Sequence, residues 1–220
     1  MNRSNRSKID LRTGINIAAV VAFAIVIASS LWWIPRQPHP PQLKQATRLP
    51  EPLLLPSFQL VDQHGAEFTR ASLRKHWSLL FFGYTHCPDV CPTTMFTLQK
   101  TARQLHNTQL FGGAVQFVLV SVDPERDTPE HLARFVSYFN KDFIGITGAP
   151  QAIDDLTRQL GIMYARPEAP SSDNYLVDHS ASILLVDPQA RFYAVFSPPH
   201  LAGNLASDLK KLSNYYAQTL

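Results

Sequence analysis

One stretch constrains the fold more than any other: Phe81-Phe82-Gly83-Tyr84-Thr85-His86-Cys87-Pro88-Asp89-Val90-Cys91-Pro92, which holds the only two cysteines in 220 residues. An apolar run, Leu79 to Phe82, leads into it, and a helix-compatible segment, Thr93 to His106, leads out. Two thiols where a buried strand meets a helix are placed for chemistry rather than for stapling. A bridge between residues four apart would close a tiny loop and constrain little of the unfolded chain.

The flanking pattern alternates strands with helices. Phe58 to Asp62 and Glu67 to Thr69, joined across His64-Gly65, predict a hairpin. Ser72 to His76 reads as a short helical piece before the strand Ser78–Gly83. Val115 to Val122 reads as a buried strand ending at Asp123-Pro124. Thr128-Pro129 supplies a helix N-cap and a proline at the first helical position. A short strand over Phe143–Ile146 and a helix over Gln151–Leu160, closed by Gly161, follow. Beyond a polar loop at 165–174 come strand segments at Tyr175–His179, Ser182–Asp187 and Arg191–Phe196. In the last helix Leu201, Leu205, Leu209, Leu212 and Tyr216 share a face. The pattern predicts an α/β fold with a mixed sheet flanked by helices, and a dithiol at a strand–helix junction makes a thioredoxin-like arrangement the expectation.

The N-terminal part is different. Residues 15–34 contain no charge, and 20 helical residues match a hydrocarbon core of about 30 Å. Trp32 and Trp33 lie at the end of this run, where indoles favour the interface. Arg3, Arg6, Lys8 and Arg12 precede it, so the positive-inside rule predicts a cytoplasmic tail over 1–14, a transmembrane anchor over 15–34 and export of the remainder. The run is long for a cleaved signal peptide, the rival reading, and no clean A-x-A site stands before the tryptophans. Seven prolines between Pro35 and Pro56 predict an extended stalk over 35–56, leaving 57–220 as the folded domain. Residues 1–36 carry a net charge of +4 and residues 37–220 a net of −1. The domain therefore lacks the basic stripe that nucleic acid needs, and no nucleic-acid partner is expected.

The dithiol permits three active chemistries. Thiol–disulfide exchange would use a cysteine near a helix N-terminus, where the dipole lowers the thiol pKa. Pro92 as first helical residue would put Cys91 at about the N-cap, although redox motifs normally space their cysteines C-x-x-C. Soft-metal binding would use both thiols, brought to one point by a helical turn from Cys87 to Cys91. Structural zinc would want four protein ligands, commonly with a second cysteine pair, and the chain has none; copper, served by three ligands including imidazole, fits the inventory better. A peroxidatic cysteine has no specific support. Among the eight histidines, His39 falls in the stalk and His64 and His106 at turns or surface; His76, His131 and His200 read as solvated, and His86 as packing beside Cys87. His179, just before a strand that should run beside Ser78–Gly83, reads from spacing alone as structural.

Three motifs taken together, FFGYTHCPDVCPTTM, VSVDPERDTPE and YLVDHSASILLVDP, resemble in order and spacing the Sco/SenC family of copper-binding assembly proteins, over essentially all of residues 50–216. The resemblance implies that Cys87 and Cys91 are thiolate copper ligands and that His179 is the imidazole ligand, for Cu(I) and, with additional coordination, Cu(II). The same two cysteines would form a redox-active disulfide when oxidised. It further implies a role in assembling the CuA site of cytochrome c oxidase, with the oxidase's copper-bearing subunit as partner, besides a copper donor or a thiol reductant. The implied protein is a single-pass protein of a bacterial inner membrane with its C-terminal domain in the periplasm, a metallochaperone rather than an enzyme of turnover. Two rivals keep the same cysteines: a thiol–disulfide oxidoreductase that keeps target cysteines reduced, and a copper-responsive redox sensor. Thioredoxins place a cis-proline opposite their dithiol, and Ser180-Ala181-Ser182 stands near that position here. Asp178 is a candidate partner orienting His179, Asp89 reads as a solvated turn residue, Asp123 and Pro124 as a strand end, and Met163 as packing despite its soft sulfur.

Overall fold

The computed structural model describes residues 19–27, 29, 38–165 and 175–219. The chain divides into two compact units, Met1–His39 and Pro40–Leu220. In the first, residues 19–27 are helical (α1) with Val20, Phe23 and Ile25 exposed. The rest of the anchor expected over 15–34 and the tail over 1–14 lie outside the described residues. Among those described, no helix is long and apolar enough to cross a membrane.

The second unit is built on β4 (Trp77–Gly83), whose seven residues are all buried. The run has no polar alternation because the strand is covered on both faces, as in the centre of an α/β sheet. Its parallel neighbour is β5 (Val115–Ser121), reached through α2 (Val90–Leu105). β6 (Ile144–Thr147) lies parallel to β5, after α3 (Pro129–Phe139). Thr128 Oγ1 accepts the His131 amide at 3.3 Å and Pro129 occupies the first helical turn, so α3 begins where its capping residues dictate. α4 (Pro150–Gln159) stops at Gly161, whose φ of +67° is left-handed backbone that glycine adopts without a Cβ clash.

The hairpin is present as β2 (Gln59–Asp62) and β3 (Glu67–Thr69), with Asp62 Oδ1 accepting the amides of His64 and Ala66. On the other side of β4, β9 (Ile183–Val186) and β10 (Arg191–Phe196) run antiparallel, and α5 (Ala202–Thr219) packs against α2. With an edge strand β1 (Ala46–Leu54), the eight-stranded order is β1-β10-β9-β4-β5-β6-β2-β3, a mixed sheet with helices, as the thioredoxin-like expectation required. A separate two-stranded ladder pairs β7 (Tyr164–Ala165) with β8 (Asp178–His179). Residues 166–174 of the expected loop lie outside the described residues.

The stalk expected over 35–56 is corrected by β1 (Ala46–Leu54), an edge strand antiparallel to β10. Pro50 and Pro52 fall where the register shifts between Arg48 and Leu53, so their missing N–H groups break no regular ladder. Buried Asp208 holds the entry to this strand, accepting the amides of Lys44, Gln45 and Ala46 at 2.7–3.0 Å. Proline content argued for extended backbone correctly, but an edge strand satisfies the same composition. The compact unit therefore begins well before residue 57.

Candidate metal centre

The site lies where the C-terminal end of β4 meets the entry to β9. Phe81 pairs with Ile183 in antiparallel register, so the residues after β4 and the residues before β9 emerge at one sheet edge. Cys87 lies in the turn after β4, with its amide directed at the Tyr84 carbonyl. Cys91 lies inside the first turn of α2, and His179 ends β8. Both cysteines are free, Cys87 partly exposed and Cys91 fully buried. Their sulfurs and one imidazole nitrogen of His179 all lie within 4.8 Å of one another, the only such group of three among the described residues. Cys91 Sγ is 3.4 Å from His179 Nε2, and the Cys91 amide points at Cys87 Sγ at 3.4 Å.

The three predicted ligands are thus brought together, by a route that differs from the expected helical turn. The N-cap is Asp89 and the helix starts at Val90, so Cys87 precedes the helix and Cys91 is its second residue. The expected lowering of the Cys91 pKa by the helix N-terminus is also overturned. Burial pushes this thiol well above its ordinary value, with the Tyr84 backbone amide opposing the shift only in part. In a dry site, desolvation of a thiolate outweighs the dipole.

His179 is held in one tautomer. Its Nδ1 lies 3.2 Å from the Ser180 carbonyl, which can only accept, so Nδ1 carries the proton and the Nε2 lone pair faces Cys91. The exposed Asp178 is not the orienting partner; backbone takes that role. Phe81 and Tyr84 stand edge-on to the imidazole at 6.0 and 5.8 Å between centroids. Burial pushes His179 below the usual histidine range, favouring the neutral, ligating form. Gly83 closes the back of the pocket: a Cβ there would sit 2.8 Å from Cys91 Sγ.

Sequence reasoning missed the scaffold. Asp123, fully buried, accepts from Arg126 Nε at 2.5 Å and from the Tyr175 hydroxyl at 2.6 Å. The Arg126 guanidinium lies 3.5 Å above the Tyr175 ring and donates to the Tyr175 carbonyl. The Tyr84 hydroxyl accepts the Val177 amide, so two tyrosines and an arginine pin the segment that delivers His179. Asp127, also fully buried, accepts the Thr85 amide, the Thr85 hydroxyl and the Ser121 hydroxyl, pinning the turn that delivers Cys87. A signal was present: four charged residues within Asp123–Asp127, directly after a buried parallel strand, lie at the same sheet edge as the dithiol. Of the other histidines, His200 is not solvated as expected. It is half-buried, 2.7 Å from the Ala181 carbonyl, and burial pushes its pKa down. Met163 is not packed either; it is 79 % exposed.

This donor set is soft: two sulfurs and one neutral imidazole. With metal–ligand bonds of about 2.0–2.3 Å, as zinc makes to the same atoms, three donors around one ion stand roughly 3.5–4 Å apart. The observed spacing closes to that with movements of about 1 Å, and the less buried Cys87 is the ligand with room to make them.

Comparison with known proteins agrees with this geometry. Residues 46–214 match the family described as SCO1/SenC. A SCO2-like protein of Rickettsia prowazekii is 38 % identical over 140 residues, covering 63 % of this chain and 67 % of the relative. Among solved structures, copper-bound ScoI of Arabidopsis thaliana is 32 % identical with a TM-score of 0.66, covering 74 % of this chain and 99 % of its own. Copper-bound ScoI of Bradyrhizobium japonicum is 34 % identical with a TM-score of 0.64, covering 72 % and 99 %.

Proposed function

The chain belongs to the SCO1/SenC family, and from that premise we propose that it carries one copper ion on Cys87, Cys91 and His179 and serves assembly of the CuA site of cytochrome c oxidase. The observation that carries the reading is the convergence of two sulfurs and the Nε2 lone pair within 4.8 Å. Soft, polarisable sulfur with imidazole suits Cu(I). The chain's own part is to hold Cys91 and His179 rigidly in a dry pocket while Cys87, nearer to solvent, admits and releases the cargo. Loss of the Cys91 proton accompanies loading, because the metal binds thiolate.

The oxidoreductase reading needs the two thiols but gives His179 no function. The uncharged run at 15–34, its basic flank and its terminal tryptophans support an inner-membrane anchor with residues 40–220 in the periplasm.

The test is titration of the reduced chain with Cu(I) against a competing chelator, beside His179→Ala. One tight equivalent, weakened by several powers of ten in the variant, is the expected result. Equal affinity in the two proteins would remove the metal-carrier reading and leave the reductase.

A further inference from the structure

Beside the dithiol lies an open groove of about 620 Å³ between the N-terminal part of α2 and the length of α3. One end is formed by Thr85 and His86, which run into Cys87, and by Pro92, which follows Cys91. Its walls carry Phe96, 42 % exposed, and Tyr138, 74 % exposed, whose rings meet edge-to-face at 6.2 Å. Aromatic rings held by their neighbours offer contact area at little entropic cost, which is why such residues, with arginine, dominate binding hot spots.

The ionisable residues lining the groove are His86, His131 and Arg134, with no carboxylate among them. Asp127 lies behind His86 at 3.8 Å, but its oxygens are taken by Thr85 and Ser121. His131 turns its Nδ1 to the Arg126 carbonyl at 2.8 Å and faces the His86 ring at 6.3 Å. The Arg134 guanidinium makes no hydrogen bond or ion pair within the described residues. Glu130, one helical turn back, acts on it only at a distance. The groove thus joins an aromatic floor to the Arg134 cation and two imidazoles, and one end of it is formed by the chain neighbours of Cys87 and Cys91.

We propose that this groove is the docking surface for the protein that exchanges metal with the site, and that it takes an acidic segment of that partner bearing apolar or aromatic side chains between its carboxylates. The carboxylates pair with Arg134, while the apolar side chains lie on Phe96 and Tyr138. A segment seated there brings the partner's own ligands up to Cys87, the more exposed thiol. That last consequence rests on the copper-carrier reading; the recognition itself does not.

The test uses the full-length reduced chain in a neutral detergent and a fluorescent heptapeptide of alternating Asp or Glu with Leu and Phe, followed by anisotropy. The control peptide has every acid replaced by its amide. The acidic peptide is expected to bind at least about tenfold tighter, and Arg134→Glu and Tyr138→Ala each to weaken it by about tenfold or more. Both side chains are exposed, so the variants keep Cu(I) affinity within about threefold of the parent, an outcome that separates docking from damage to the ligands. Equal binding of the two peptides, or binding indifferent to Arg134→Glu, overturns the proposal. So does Arg134-dependent binding to vesicles with anionic headgroups when the peptide does not bind, or self-association of the chain that Arg134→Glu abolishes. Peptide binding by a parent chain that fails to hold Cu(I) would remove the copper reading and leave the docking surface standing.

Discussion

Gly83→Ala tests whether the position of the Cys91 sulfur limits copper binding. Gly83 is the last residue of β4, and a Cβ there would lie 2.8 Å from Cys91 Sγ, 3.0 Å from Phe81 Cε1 and 3.4 Å from Leu119 Cδ1. The backbone at Gly83 is not left-handed, so alanine meets no conformational penalty there. It even removes the entropic cost of glycine in a strand, about 0.5–1 kcal/mol. Against this stands overpacking of a filled core, which costs about 1–3 kcal/mol. The net expectation is a loss of stability of roughly 0.5–2 kcal/mol, readable as a lower urea midpoint with unchanged slope. Copper should suffer more than stability. Phe81 and Leu119 are locked in the sheet, so relief comes from moving the sulfur, and displacing a group that positions a metal ligand typically costs 10–100-fold in affinity, an order-of-magnitude figure. Competitive Cu(I) titration of parent and variant, both confirmed reduced, measures this. Copper affinity within about threefold of the parent, alongside the expected stability loss, would refute the reasoning. It would show that the metal tolerates a displaced Cys91 or that the strand yields in its place.

Three further outcomes follow from the same geometry. Burial holds Cys91 protonated at neutral pH and His179 neutral, so loading one Cu(I) expels at least one thiol proton; apparent affinity should rise by at least about tenfold per unit from roughly pH 6 to 8, and a flat profile would contradict a buried, protonated Cys91. Asp127→Ala strands the Thr85 amide and the Thr85 and Ser121 hydroxyls in the interior, with an expected loss of about 3 kcal/mol in denaturant unfolding and weaker copper binding through the loosened Cys87 turn. Arg126→Ala leaves the Asp123 carboxylate buried with only hydrogen-bond donors, costing about 3–5 kcal/mol; Arg126→Lys should not restore copper affinity, because an ammonium cannot both fork to Asp123 and lie flat on Tyr175.

How much of this was legible in the sequence depends on whether the cause of each feature is local. Strand β4 and the start of α3 were readable because the apolar run Leu79–Phe82 and a Thr-Pro cap act on their own neighbourhoods. The edge strand β1 was not, because what makes Pro50 and Pro52 tolerable is a register shift opposite β10, far along the chain. The raised pKa of Cys91 was not either: a helix N-terminus is visible in sequence, whereas the side chains that exclude water from its sulfur arrive from β4 and β5. The Asp123–Arg126–Tyr175 clamp spans 52 residues and has no periodicity to betray it. His179 is the instructive case. Its spacing from the cysteines says nothing, and resemblance to a family singled it out before geometry could. Strand order supplies the physical reason. β9 runs antiparallel to β4, so whatever precedes β9 must emerge beside whatever follows β4, and the ladder Tyr164–His179 then fixes the face on which the imidazole stands. The candidate metal centre is therefore a property of topology: one sheet edge collects two sulfurs from the exit of one strand and a nitrogen from the entrance of its neighbour.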